Sequence, residues 1–207
     1  NPLRAVSVGL TTDRMKAYKA VDFDGDGDLD LIIYERVNKR PIYWERRSSA
    51  MDDLVQLSTS ASPLSGMPQY INAYWDVADD YVDWDGDGLV DVLRATKIGE
   101  VHFWKHFADG TFADQGPLNG VVAFGETGGK EGKMESFRAI DFNKDGLLDI
   151  VAEDNLQVTK LKLYLRNADD TFNVSMLEGI YNHPKEIHNW IPDWNGDGRW
   201  DVFNPTE

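Results

Sequence analysis

The 207-residue chain is 42% hydrophobic and 12% aromatic, enough apolar mass for a folded core and too much for a disordered chain. Its net charge of −15 argues against a nucleic-acid partner, because phosphate contacts need clustered Lys and Arg. No run approaches the roughly 18–20 apolar residues of a membrane helix, so no membrane insertion is expected; the absence of cysteine excludes disulfides, thiolate metal sites and cysteine nucleophiles.

The chain opens Asn1-Pro2 without an initiator Met, as a processed or trimmed start would, and Arg4-Ala5-Val6-Ser7-Val8 reads as a strand. A first acidic loop runs from Asp22 to Asp30 (DFDGDGDLD), followed by the β-favouring run Leu31-Ile32-Ile33-Tyr34 and an aromatic strand at Ile42-Tyr43-Trp44. Ser58 to Pro68 is a Ser/Pro-rich connection. A second loop, Asp83 to Asp91 (DWDGDGLVD), leads into Val92-Leu93, the strand Val101-His102-Phe103-Trp104 and a turn at Ala108–Phe112. Asp114 to Glu135 is Gly-rich and polar and reads as a loop between units with a short strand at 121–124. The third loop, Asp141 to Asp149 (DFNKDGLLD), precedes Ile150-Val151, the strand Leu161–Leu165 and a turn at Ala168–Phe172; the fourth, Asp193 to Asp201 (DWNGDGRWD), precedes Val202-Phe203. The loop starts lie 61, 58 and 52 residues apart, the length of one four-stranded unit. No long 3.6-residue period demands a helix, so the expected class is all-β.

Carboxylates at alternate positions of a tight loop can all face one hard cation, and calcium takes six to eight oxygen ligands at roughly 2.3–2.6 Å. Positions one, three, five and nine offer side-chain oxygens, and position seven its carbonyl. The candidate ligands are therefore Asp22, Asp24, Asp26, Asp28 and Asp30 in loop one, and Asp83, Asp85, Asp87, Leu89 and Asp91 in loop two. Loop three offers Asp141, Asn143, Asp145, Leu147 and Asp149, and loop four Asp193, Asn195, Asp197, Arg199 and Asp201. Up to four Ca2+ ions are expected. An EF-hand needs Glu at position twelve, where this chain has Ile33, Arg94, Ala152 and Asn204. A lone loop of this kind can also be read as a solvated Asp/Gly turn, but four copies in matching register argue against that; without an ion, the carboxylates held within one loop repel by about 1 kcal/mol per pair at ~4 Å even in bulk water. The Asn at position three, with Lys144 beside it in loop three, ranks loops three and four below one and two for calcium affinity.

These loops, with the strand-turns HFWKHFADGTF and LYLRNADDTF, resemble the FG-GAP/VCBS repeat, the calcium-loop blade of integrin-α-type β-propellers. The resemblance implies a β-propeller-like array of about four four-stranded blades, in which each loop joins the first two strands of a blade. It implies one repeat domain over 1–207, with units near 14–66, 67–131, 132–183 and 184–207, the last completed by 1–13 or by a partner chain. A four-bladed ring, an open array and half of a shared propeller all fit. An extracellular or cell-surface setting is implied, and a module for adhesion or for binding a protein or glycan. The alternatives are a polysaccharide-degrading enzyme using such blades as scaffold or catalytic part, and a structural subunit of a larger assembly.

Of the seven Trp, Trp84, Trp194, Trp200, Trp44 and Trp104 occupy repeat-equivalent positions and read as blade-packing core. Trp75 and Trp190 do not repeat cleanly and are the candidate ligand-binding face. No catalytic constellation is present. Asp79 and Asp80 are spare carboxylates with no partner visible in the sequence, so catalysis is not expected.

Overall fold

In the computed structural model, residues 15–35, 40–47, 54–67, 79–96, 100–122, 137–154, 160–177 and 200 are described. The strand expected at Arg4–Val8, the candidate face Trp75 and Trp190, and loop four apart from Trp200 lie outside them.

The described residues form three four-stranded sheets with a single short 3-10 helix at Pro63–Gly66. The first sheet contains β1 (Met15–Val21), β2 (Asp30–Glu35), β3 (Arg40–Arg46) and β4 (Leu54–Gln56). The second contains β5 (Asp79–Val82), β6 (Asp91–Ala95), β7 (Glu100–His106) and β8 (Phe112–Val122). The third contains β9 (Phe137–Ile140), β10 (Asp149–Asp154), β11 (Lys160–Arg166) and β12 (Phe172–Leu177). In every sheet each strand pairs with the next one in the chain. All three acidic loops link the first strand of a sheet to its second, the junction the repeat resemblance implied.

The register repeats as well. The residue after position nine faces the bulky aromatic of the third strand in each sheet: Leu31 opposite Trp44, Val92 opposite Trp104, Ile150 opposite Tyr164. The second strands are apolar at successive positions because both of their faces are covered. Ile32 and Ile33, Val92 and Leu93, and Ile150, Val151 and Ala152 are all buried. The turns expected at Ala108–Phe112 and Ala168–Phe172 close the β7–β8 and β11–β12 hairpins. The N–H of Phe107 donates to the Thr111 carbonyl at 2.9 Å, and that of Asn167 to Thr171 at 2.8 Å.

One segment differs from the sequence reading. β8 runs unbroken through residues 112–122, although Asp114 onward reads as a loop. Its glycines Gly116 and Gly120 take positive φ values of 94° and 86°, so they bend the strand rather than end it. Pairing with β7, reinforced by His102 Nδ1 at 2.9 Å from the Asp114 carboxylate, outweighs local composition.

By contact the chain divides into two compact units, Asn1–Ala73 with Tyr81–Asp91 and Lys105–Ala113, and Tyr74–Asp80 with Val92–Trp104 and Asp114–Glu207. In the first unit Phe23, at loop position two, sets its ring edge-on to Tyr43 (5.9 Å) and Tyr81 (6.4 Å) and lies 5.5 Å from His106, which stacks on Phe112. In the second unit Ile140, Val151, Leu161 and Leu163 form a core against which Phe142, Leu165 and Trp200 pack. The Trp200 indole N–H donates to the Asp141 carbonyl at 2.8 Å. Asp79 and Asp80 are not spare. Arg94 grips Asp79 through Nε (3.2 Å) and Nη2 (3.1 Å), and buried Asp80 accepts the Ala139 N–H at 2.8 Å, joining β5 to β9.

Phe137 has 0% of its surface exposed, whereas Val174 on β12 has 55%. Phe137→Ala should cost roughly 3–5 kcal/mol in urea denaturation, and Val174→Ala about 0.5 kcal/mol or less.

Candidate metal centre

The acidic loops are shaped by their own carboxylates. The first aspartate receives main-chain N–H groups from further along the loop. Asp22 takes Gly25 at 2.9 Å and Gly27 at 3.0 Å, Asp83 takes Gly86 at 2.8 Å and Gly88 at 2.9 Å, and Asp141 takes Asp145 at 3.0 Å and Gly146 at 2.9 Å. Position five turns the exit of each loop by accepting the N–H two residues on: Asp26 from Asp28, Asp87 from Leu89, Asp145 from Leu147, all at 2.8–2.9 Å. The chain can wrap this tightly because position six is glycine with φ near +90° in every described loop. Position four needs the same left-handed region. It is Gly25 and Gly86 in loops one and two, but Lys144 at φ 63° in loop three.

Position nine plays a second role that the sequence reading missed. Asp30, Asp91 and Asp149 are buried, and each bridges two strands' worth of backbone. One oxygen accepts the N–H at loop position two (Phe23 3.1 Å, Trp84 3.0 Å, Phe142 2.9 Å). The other accepts an N–H near the end of the third strand (Arg46 2.9 Å, His106 2.8 Å, Arg166 2.8 Å). In loop one the Tyr43 hydroxyl also donates to Asp30 at 2.6 Å, and burial and that bond raise the phenol well above its usual value. Burial pushes Asp91 up to about 6, against the lowering pull of the His106 and Trp84 N–H groups. Asp149 is raised for the same first reason. Asp24 is raised by partial burial and then by the carboxylates of Asp30, Asp26 and Asp22.

The donor set fits a hard cation. In loop one, oxygens of Asp22, Asp24 and Asp30 lie within 4.8 Å of one another, and in loop two those of Asp83, Asp85 and Asp91 do. Oxygens on opposite sides of a calcium ion are about 5 Å apart, twice the coordination distance. All donors are oxygen, with no sulfur or imidazole among them, which suits calcium rather than zinc. Hydrogen-bonded carboxylate oxygens keep a lone pair for an ion. In loop three the Asn143 amide donates to Asp145 at 2.8 Å, so position three there contributes no charge.

Residues 83–152, from the first aspartate of loop two into β10, match the family described as FG-GAP-like repeat. About a third of the chain is thus similar to an FG-GAP-like repeat. No curated protein matches the chain. The matched FG-GAP-like repeat spans one full loop-to-loop period, and the first sheet reproduces its loop, register and position-nine bonding outside the matched span. Among the described residues no helix is long and apolar enough to cross a membrane.

Loop two also has a lysine partner, Lys105, whose Nζ donates to Asp85 and, at 2.7 Å, to Asp87, holding Asp87 below the usual carboxylate range. The repeat pattern did not reveal it, because the equivalent residues are Glu45 and Leu165.

Two outcomes follow for metal-free protein. Asp149→Asn places an amide donor against a main-chain donor and should lower stability by about 1–3 kcal/mol in chelator; Asp26→Asn, on an exposed loop oxygen, should leave urea denaturation in chelator essentially unchanged. Because the folded value of Asp91 lies above its ordinary 3.8, the folded chain retains a proton that the unfolded chain has lost. The stability this group contributes is greatest below pH 3.8 and falls as pH rises through about 6. Side-chain carboxyl NMR in chelator should place the Asp91 midpoint near 6, and calcium should draw it down.

Proposed function

We propose that the chain is a calcium-stabilised, β-propeller-type module that binds a protein or glycan outside the cell. The observation that carries this reading is the recurrence of one acidic loop, at one strand junction and with one bonding pattern, in three successive sheets. A single acidic turn is an ordinary surface feature, whereas a repeated loop with converging oxygens calls for a cation to offset its repulsion.

Blade-like stacking is supported by second strands buried on both faces and by contacts that pass from sheet to sheet: Phe23 to Tyr81 and His106 in one unit, Asp80 to Ala139 in the other. Packing of Trp200 on the third sheet's core supports a fourth unit that continues the series over 184–207, completed by 1–13 or by a partner chain. On this reading 1–207 is a single repeat domain.

Binding is favoured over catalysis because the two carboxylates that read as spare in the sequence are occupied structurally, Asp79 by Arg94 and Asp80 by the Ala139 N–H. The connections between the strands then form the recognition surface, with Trp75 and Trp190 as its candidate aromatic contacts. Extracellular calcium, at millimolar levels, suits loops of modest affinity.

Native mass spectrometry in calcium should show up to four ions, all lost in chelator, with a fall in Tm of several degrees. A mass and a Tm indifferent to chelator would refute the calcium reading. Glycan-array and co-purification experiments in calcium should return a ligand without turnover; release of cleaved glycan would replace the binding module with an enzyme.

A further inference from the structure

We infer that Lys105 is a tethered cation for the second loop: its ammonium holds Asp85 and Asp87 together while no divalent ion is present, and it must leave before one binds. This rests on the calcium reading above.

Lys105 stands near the end of β7, eighteen residues beyond Asp87 in sequence, and the register delivers it to the loop. Trp104 faces Val92, and the His106 N–H is fixed to Asp91, so the side chain between them is placed beside the loop's carboxylates. Its Nζ donates to Oδ2 of both Asp85 and Asp87. Asp85 also belongs to the oxygen cluster of Asp83 and Asp91 that would surround a metal ion. An ammonium supplies one charge and three donors, whereas calcium supplies two charges and requires six to eight ligands. The two cations cannot share Asp85 and Asp87 at contact distance without strong repulsion.

At the equivalent position the other two described sheets carry no lysine. Glu45, the equivalent in the first sheet, is turned to Arg47 at 2.7 Å, and Leu165 in the third packs on the core. Its Nζ also lies 5.8 Å from the centre of the exposed Phe107 ring while it bonds the loop. The flexible four-carbon stem of a lysine lets the ammonium leave the carboxylates for solvent. Loops one and two carry equal numbers of ligand carboxylates, yet loop two should require more calcium and depend on it less for its shape.

The test uses the full chain and the Gly27 and Gly88 amide signals as separate reporters of loops one and two during a calcium titration. In the wild type Gly27 should respond at lower calcium than Gly88. In Lys105→Met, which keeps the apolar stem, the Gly88 midpoint should fall about tenfold or more while that of Gly27 stays put. An independent readout needs no variant: acetylation of Lys105, followed by mass spectrometry, should be slow in chelator and several-fold faster in saturating calcium. An unchanged Gly88 midpoint in the variant, or Lys105 reactivity indifferent to calcium, overturns the inference while a responsive Gly27 leaves the calcium reading standing. If neither glycine responds in either protein, both fall together.

Discussion

A carboxylate buried with both oxygens bonded to main-chain donors leaves the polypeptide around it little freedom. Asp30, Asp91 and Asp149 each sit in that position, tying the entrance of an acidic loop to the far end of the third strand. Register between second and third strands, the placement of the loop and the direction of the chain after it all depend on this bridge. Removing the carboxylate would orphan two buried donors, and keeping it places charge in a poorly solvated site, the strain visible in the raised Asp91 and Asp149. Position nine is thus a structural clamp in its own right, and on the calcium reading proposed above its charge would add to the pull on a cation.

The loop and the core are joined through position two. Phe23 contributes its N–H to the clamp and its ring to the aromatic cluster with Tyr43, Tyr81 and His106, and Phe142 packs on the core of the third sheet. Order in the loop and packing in the core are therefore one cooperative event at each junction. His106 shows how the pattern tolerates variation. It stands where the other sheets have Arg46 and Arg166, is buried among rings, and is held below its usual value by that burial, so it behaves as a neutral aromatic.

Much of this was legible in the sequence, because a repeat multiplies weak local signals. The loop starts, the second and third strands of each sheet and the two aspartate turns fall where periodicity and turn chemistry place them. What escaped was set by partners distant in the chain. β8 reads as a Gly-rich loop because nothing local shows that β7 will pair with it. Asp79 and Asp80 read as spare because Arg94, across the same sheet, and Ala139, on the next one, become neighbours only in the fold. Lys105 reads as an ordinary strand lysine because its position is not repeated. The clamping role of position nine was hidden because an aspartate that ligates an ion and one that clamps backbone look the same in a motif.

Each of the three described sheets is built entirely from strands adjacent in the chain, and that has a kinetic consequence. Every pairing within a sheet closes through a short or moderate connection, so a unit can assemble from its own hairpins without waiting for distant segments. The loop bonds are more local still, spanning no more than five residues at position one. Such a chain can acquire order unit by unit as it emerges during synthesis, each acidic junction setting before the next is made. Gain or loss of a whole unit, rather than of part of one, is then the change in length that such an architecture tolerates best.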